Sequence, residues 1–539
     1  NFHKTWGDFD IGALVGTSSE ATERLTQVHW GYDFVTPGTI SFANILQENK
    51  FFDDATSKKR LVGVYGEVRA TWKNMIYLTV TGRNDWSSTL PVDNRSYFYP
   101  SVSGSFVFTE LLPKNDVLTF GKIRGSWAQV GKDADPYTTN TYMWPTVVVN
   151  GSFVGTGNHW TSGSPYLLPE KQNSWEIGTE LQFFGGRLGV DYTYYQSETK
   201  NQIAAPRLAQ STGYILFSLN SGSVKNKGME LMITGRPIDK KDFTWDVTLN
   251  MAGNRGTLGD FVEGVDYFYV TSVQIGGVKA ASIPNGGDFL ALTGNRWLRE
   301  TTTVETIDES GNTVTEEVEL EDGRYQVDPT TGLYKLEGST TNIVGNREPK
   351  FTGGLTNTFR WKDLTLSFLL DFRIGGDIYN GTQYYLTTLG QSERTLDRSS
   401  VTISGVNSET GEPYTQTYNA GDSYVINGNT YSGEYMIQQY WSSNYANNAY
   451  NFIQNVNWLK LRSLSLSYDF SNLIKGQNIL KNLTATFAAN NLFTITNYKG
   501  GMDPEVAAIG STGGSGSVGI EYCGVPTQRT YSFGINLTF

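Results

Sequence analysis

The last ten residues alternate one by one between apolar and polar positions. Tyr531, Phe533, Ile535, Leu537 and Phe539 share one parity, and Thr530, Ser532, Gly534, Asn536 and Thr538 share the other. In a β-strand the two parities lie on opposite faces. One face is then aromatic and aliphatic and the other small and polar, which suits a wall with lipid on one side and water on the other. The pattern recurs upstream. Leu364, Leu366, Phe368, Leu370, Phe372 and Ile374 face one way, against Asp363, Thr365, Ser367, Asp371 and Arg373; only Leu369 breaks the alternation. Phe243, Trp245, Val247, Leu249 and Met251 oppose Thr244, Asp246, Thr248 and Asn250. Leu464, Leu466, Tyr468 and Phe470 oppose Ser463, Ser465, Ser467 and Asp469.

These strands are predicted in pairs joined by short turns. Leu61–Trp72 turns into Met75–Arg83 at Lys73-Asn74, Ser174–Phe183 into Leu188–Gln196 at Gly185-Gly186, and Gly353–Trp361 into Leu364–Ile374 at Lys362-Asp363. The Gly-Gly pair is a natural tight-turn sequence. Slightly longer turns join Pro100–Thr109 to Val117–Ala128, Lys227–Gly235 to Phe243–Met251, and Val456–Phe470 to Asn482–Thr494. An earlier pair is expected at Gly7–Gly16 and Arg24–Phe34. Long connections follow each pair, at 35–60, 84–99, 129–173, 197–226, 252–350, 375–455 and 495–528. Short turns on one side and long loops on the other are the second signature of a transmembrane barrel.

A soluble β-sandwich would also give alternation. Here, however, the polar face carries charges such as Glu67, Arg69, Lys122 and Arg124, which fits a tilted, water-filled barrel. Composition agrees. The chain of 539 residues holds 31 Tyr, 28 Phe, 13 Trp and 59 Gly, which favours strands and turns over helices. No apolar run is long enough for a transmembrane helix. A net charge of −11 argues against a nucleic-acid partner. Cys523 is the single cysteine, so no internal disulfide forms, and His3, His29 and His159 lie too far apart to suggest a histidine metal centre.

The predicted strands number about 15, whereas single-chain bacterial barrels usually hold an even number. The last strand follows a long outer loop, so Phe539 is expected in the periplasm. Counting back places Asn1 outside, within an external loop of a longer chain. No signal-peptide pattern is visible from Asn1 onward, so either a leader has been removed or the sequence is a fragment, and the strand count favours the fragment.

Several stretches, taken in order, resemble the C-terminal part of SusC-like TonB-dependent transporters of the Bacteroidota outer membrane. They include Gly82-Arg83-Asn84-Asp85-Trp86-Ser87-Ser88, Tyr99-Pro100-Ser101-Val102-Ser103 and Lys122-Ile123-Arg124-Gly125-Ser126-Trp127. Pro169-Glu170, Ser174-Trp175-Glu176-Ile177-Gly178, Phe183-Phe184-Gly185-Gly186-Arg187-Leu188 and Val224-Lys225-Asn226-Lys227-Gly228-Met229-Glu230 follow. Near the end come Ala489-Asn490-Asn491-Leu492-Phe493-Thr494, Asp503-Pro504-Glu505 and Pro526-Thr527-Gln528-Arg529-Thr530-Tyr531. The resemblance spans the chain nearly end to end. It implies an all-β, transmembrane antiparallel β-barrel: residues 1–539 as the C-terminal strands of a plugged barrel of about 22, with the plug and first strands absent from this sequence. It also implies uptake of oligosaccharides or peptides, powered by TonB with ExbB and ExbD, and a SusD-like surface lipoprotein as lid; the aromatic-rich, Asn-rich loops suit an oligosaccharide slightly better than a peptide. The runner-up is a passive porin or adhesin barrel whose outer loops bind a surface partner.

On this reading Asn84 and Asp85 lead out of a strand. Glu176, Glu180, Lys122 and Arg124 are lumen charges facing the plug, and Trp72, Tyr77 and Trp361 belong to the interfacial aromatic girdle. Substrate contact is expected from the outer loops, at Trp144, Trp160, Trp297, Tyr384, Tyr385, Trp441, Tyr445 and Asn448. Flat rings pack on sugar faces or peptide side chains, and Asn444, Asn447 and Asn448 offer hydrogen bonds. The bland alternative is that these rings pack loop on loop. The acidic stretch Glu300–Asp322, with Glu305, Asp308, Glu309, Glu316, Glu317, Glu319 and Glu321, lacks calcium-loop spacing and reads as a solvated hairpin. No nucleophile motif surrounds His159, and the Gly-rich 512–517 has no Lys for a phosphate cradle, so no enzyme, metal or cofactor is expected.

Overall fold

The computed structural model describes residues 1–539 apart from 145–146, 150–152, 260, 263–264, 266, 285, 308–312, 340, 475, 477–478 and 506–517. The Gly-rich 512–517 and the acidic Asp308 and Glu309 therefore lie outside the described residues. The chain divides into two compact units.

The first unit holds β1 (Phe2–Trp6), β2 (Phe9–Gly31), β3 (Lys50–Trp72), β4 (Ile76–Ser87), β5 (Ser96–Val107), β6 (Leu118–Lys132) and most of β7 (Glu170–Phe183). Each pairs with its sequence neighbour. A further strand, β8 (Leu188–Lys200), contributes residues to both units. The second unit holds most of β9 (Ser223–Lys240) and β10 (Phe243–Gly259), with β11 (Phe351–Trp361), β12 (Leu364–Ile374), β13 (Trp458–Asp469), β14 (Asn482–Thr496) and β15 (Thr530–Thr538). These again pair in chain order, and the register from β10 to β15 is antiparallel.

The turns explain the pairing. Lys362-Asp363 links Trp361 to its partner Leu364 with two residues, Lys362 in the left-handed region at φ 51°. Gly7-Asp8 does the same between Trp6 and Phe9, and the Asp8 carbonyl accepts from the Lys73 N–H of the next turn. The short turns of the first unit thus sit side by side, as the barrel pattern requires.

The sequence-expected strands are nearly all present, with three differences at the start. The expected pair Gly7–Gly16 and Arg24–Phe34 is one continuous strand, β2. The expected connection 35–60 is strand from Lys50 onward, and β1 is an addition. The reason is geometric. β2 and β3 pair along their whole length to Gly31↔Lys50, but β4 covers β3 only from Leu61 to Trp72. Beyond Leu61 the two strands form a ribbon with no sheet on either side. Neither face is buried, so the alternation vanishes and Thr17-Ser18-Ser19-Glu20 resembles a turn. Asn1 directly precedes β1, whose Phe2 lies opposite Ala13.

The long connections of the second unit are folded. Phe268–Ile275, Val278–Ser282, Ala291–Gly294 and Asn342–Asn346 form one four-stranded sheet, and Gln326–Asp328, Leu333–Tyr334, Ser400–Asn407 and Pro413–Asn419 form another. The core lies here rather than in the wall. Ile275, Val278, Leu292, Tyr379, Phe452 and Ile520 form one buried cluster, and Val327, Ile403, Tyr418, Met436 and Ile437 another. The acidic stretch is a hairpin as expected, Thr301–Ile307 pairing with Thr313–Glu319.

Candidate ligand-binding loops

The wall confirms the expected charged face. In the first unit Lys122 Nζ lies 2.5 Å from Glu180, and Arg124 donates to Thr193 Oγ1 at 2.6 Å. With Tyr77, Thr79, Ser103 and Glu176 they line a shallow cavity of about 260 Å³. Tyr77 is therefore on the polar face, and its hydroxyl donates to the Asn74 carbonyl at 2.8 Å; it does not join an aromatic girdle with Trp72. Asn84 and Asp85 do not leave the strand. Both are inside β4, and Asp85 is buried, accepting from Arg83 Nε at 2.8 Å and from the Tyr99 hydroxyl.

Two short helices position the loop residues of the second unit. α1 (Gly381–Thr388) starts at Asn380, whose side chain accepts from the Gln383 N–H at 2.9 Å. The buried Glu521 carboxylate accepts from Thr382 N at 2.9 Å and Thr382 Oγ1 at 2.7 Å. Together they satisfy amides that a helix start leaves open. α2 (Gly433–Gln439) is capped by Ser432 and runs into a wider turn over Tyr440–Tyr445. That turn presents Tyr440, Trp441 and Tyr445 together, with Trp441 and Tyr445 rings 5.0 Å apart.

Six of the eight expected contact residues meet in this region. Trp297 packs on Tyr334 at 4.4 Å and edge-on to Tyr445 at 5.9 Å, and its indole N–H donates to the Asn444 carbonyl. Tyr384 and Tyr385 are edge-to-face at 5.2 Å and border the first buried cluster. Arg394 stands over Tyr445 at 5.6 Å and Phe452 at 5.3 Å. Asn448 is buried, and its Oδ1 has no hydrogen-bond partner among the described residues. Trp297 and Asn448 therefore build the loops from within. Trp144 and Trp160 belong to the first unit, where they are exposed and edge-to-face at 6.0 Å.

The environment shifts several groups. Burial holds the Tyr440 and Tyr379 hydroxyls above the ordinary phenol range. The hydrogen bond that the Tyr385 hydroxyl makes to Tyr522, with burial, pushes Tyr385 up to about 12. Burial lowers Arg347 to about 10.

Sequence reasoning missed the cavity between the two helices. It measures about 320 Å³ and is lined by the end of α1, by Thr395 and Arg398, and by Glu434, Ile437, Gln438, Trp441 and Ser442. Of its lining, only Trp441 was among the expected contacts; Arg398 and Glu434 carry no local motif. Among the described residues no group of three or more His, Cys, Asp or Glu is placed to hold a metal. No helix among them is long and apolar enough to cross a membrane.

Residues 3–492 match the family model described as TonB dependent receptor-like, beta-barrel. The chain belongs to that family. It is an outer-membrane β-barrel protein of the SusC-like kind, all-β and antiparallel. TonB-dependent receptor P26 of Formosa agariphila is 24% identical over 536 residues, covering 98% of this chain and 51% of that one. TonB-dependent receptor SusC of Bacteroides thetaiotaomicron is 25% identical over 502 residues, covering 90% of this chain and 44% of that one. Among solved structures, the RagAB peptide transporter shares the fold with a TM-score of 0.70 at 18% identity, over 100% of this chain and 54% of that one. The chain spans about half the length of the relatives it matches.

Proposed function

We propose that the whole protein is a TonB-dependent importer of a nutrient oligomer, oligosaccharide or peptide, working with a SusD-like lid lipoprotein. Residues 1–539 would supply the C-terminal strands and outer loops of its plugged barrel. The chain is wall and loop scaffold, and carries no catalytic role in this reading. Ligand is captured between lid and outer loops. TonB with ExbB and ExbD then acts on a plug carried outside this sequence. Family membership supports the transporter class. The observation that carries the capture step is the folded state of the loops: α1, α2 and the Tyr440–Tyr445 turn are held on buried cores of their own. A passive pore has no need of so much built structure around its loops. Trp441, Tyr384, Tyr385 and Tyr445, with Trp144 and Trp160 in the first unit, are the residues we assign to ligand contact, while Trp297 and Asn448 hold the scaffold.

The test is to purify the native protein from outer membranes in mild detergent and identify what co-purifies by mass spectrometry. A stoichiometric surface lipoprotein is expected. A barrel isolated alone, without plug peptides, would sink this reading in favour of a passive porin or adhesin.

A further inference from the structure

Gln383, in the first turn of α1, ties two distant segments together with one side chain. Its Nε2 donates to the Gly500 carbonyl at 2.7 Å, and its Oε1 accepts from the Ser392 hydroxyl at 2.9 Å. The Ser392 limb leads to the cavity between α1 and α2. Ser392 is buried, and its carbonyl accepts from Thr395 Oγ1 at 2.7 Å. The Gln383 carbonyl itself accepts from Thr387 Oγ1 at 2.6 Å. Thr387 and Thr395 are both buried, and both line the cavity. With so little water at hand, a hydrogen bond broken along this limb is not replaced.

The Gly500 limb leads to the wall. Gly500 stands at φ 75°, and a Cβ there would lie 2.8 Å from Gln383 Cδ and Nε2, so glycine is what lets the amide come this close. Next to it, the Lys499 carbonyl accepts from Asn380 Nδ2 at 3.0 Å and from Gln454 Nε2 at 2.9 Å. Three residues beyond Gly500, Asp503 meets Lys460 of β13 at 2.7 Å. Glu505 meets Lys460 at 2.5 Å and accepts from Arg462 at 2.9 and 2.6 Å. Residues 503–505 thus form a strap with two states, docked on the two cations of β13 or released. Coupling between distant sites needs such an element.

We propose that Gln383 is a positioning residue that couples the loop cavity to this strap. With the strap docked, Gly500 holds the Gln383 amide, and the amide holds Ser392 and the cavity lining at Thr395. With the strap released, that lining loosens. The reverse follows by linkage: whatever fixes Thr387 and Thr395 keeps the strap docked. The sign is positive because ordering one site meets part of the ordering cost of the other. The coupling depends neither on what the cavity binds nor on the import reading. It gives the loops of the second unit a hydrogen-bonded route to the polar face of the wall, built from residues of this chain alone.

The experiment is hydrogen exchange read by mass spectrometry on the full-length protein in mild detergent. It follows peptides over 389–396, over 498–505 and, as a reference in the wall, over 351–374. Lys460→Met, which undocks the strap, should speed exchange over 389–396 about fivefold, the worth of one hydrogen bond. Thr395→Val keeps the shape of the side chain and removes its donor, and should speed exchange over 498–505 to a similar extent. Gln383→Glu keeps the acceptor for Ser392 and loses the donor to Gly500, so both effects should disappear in that background. Changes confined to the mutated end overturn the coupling. Changes at both ends that persist undiminished with Gln383→Glu overturn the assignment to Gln383. Acceleration that extends equally to 351–374 is general loosening, and it overturns the proposal as well.

Discussion

Gly63 shows how a single position without a side chain can be required by charge. It lies in β3 opposite Asp85 of β4, whose carboxylate is buried and paired with Arg83. A Cβ at this position would stand 2.6 Å from Arg83 Nη2 and 2.8 Å from Ser18 Oγ. Gly63→Ala must therefore displace the arginine or the backbone, and should destabilise the first unit by about 1–3 kcal/mol. Chemical denaturation monitored by tryptophan fluorescence reads this, and an unchanged midpoint would refute the steric account. Trp297 is the corresponding residue in the second unit. Truncation to Ala removes a buried ring and its hydrogen bond to Asn444, so the loop cluster should lose about 3–5 kcal/mol. Faster proteolysis near Tyr440–Tyr445 with an intact wall is the expected result; equal cleavage of both would show that Trp297 does not act locally. The motif Ala489-Asn490-Asn491-Leu492-Phe493 also acquires a physical meaning. Asn491 takes a left-handed φ of 55° where the pairing of β13 with β14 shifts, and its Nδ2 donates to Gln528 O at 3.0 Å. Asparagine tolerates that conformation better than most residues do.

At the level of elements, the Asp503-Pro504-Glu505 segment is a strap tied to the polar face of the wall. Lys460 of β13, buried, lies 2.7 Å from Asp503 and 2.5 Å from Glu505. Arg462 grips both oxygens of Glu505, at 2.9 and 2.6 Å, and also pairs with Asp371 of β12. Burial pushes the Asp503 and Glu505 carboxyls up, but hydrogen bonds outweigh it, from Lys460 and Thr527 for Asp503 and from Arg462 and Lys460 for Glu505. Both end below their ordinary values. A depressed folded-state pKa stabilises above the unfolded value, and that stability is lost as pH falls through the folded one. Hydrogen exchange at the Glu505 amide, bonded to Asp503, should therefore be slow at neutral pH and accelerate, relative to the intrinsic rate, below the ordinary carboxylate range. Lys460→Met should release the strap at neutral pH too, at a cost of about 3–5 kcal/mol for uncompensated buried charge. A strap equally protected in acid, or in the variant, would show that the ion pairs do not hold it. This element also marks how far sequence reaches. The wall was legible because one face of each strand meets lipid and the other water, which prints a period of two from Leu364 to Ile374. Even the exception, Leu369, falls where the register with β13 shifts. The strap, the extended ribbon of β2 and β3, and the cavity at Arg398 were not legible. Each depends on pairing between residues far apart, which leaves no local period.

At the scale of the molecule, stability is distributed unevenly, and the unevenness follows from the solvent each part meets. A strand in the wall has hydrocarbon on one face, so an opened main-chain group there has no water to bond and opening costs several kcal/mol per group. β11 and β12 are paired without a break from Phe351↔Ile374 to Trp361↔Leu364. The loops of the second unit are held differently, by aromatic packing around Tyr379, Phe452 and Trp297 and by side-chain caps such as Asn380 and Ser432, with water close at hand. Opening them exposes a few rings and leaves their amides solvated. Native-state hydrogen exchange should then separate the second unit into two classes. Amides of α1, α2 and the Tyr440–Tyr445 turn should exchange by local opening, well before those of Phe351–Trp361 and Leu364–Ile374, and mild denaturant should widen the gap before the wall yields. A ligand in the loop cavity should slow the first class and leave the second untouched. Exchange of both classes at one rate would mean that wall and loops open as one cooperative body, and the division of labour between static wall and adaptable loops would not hold for this protein.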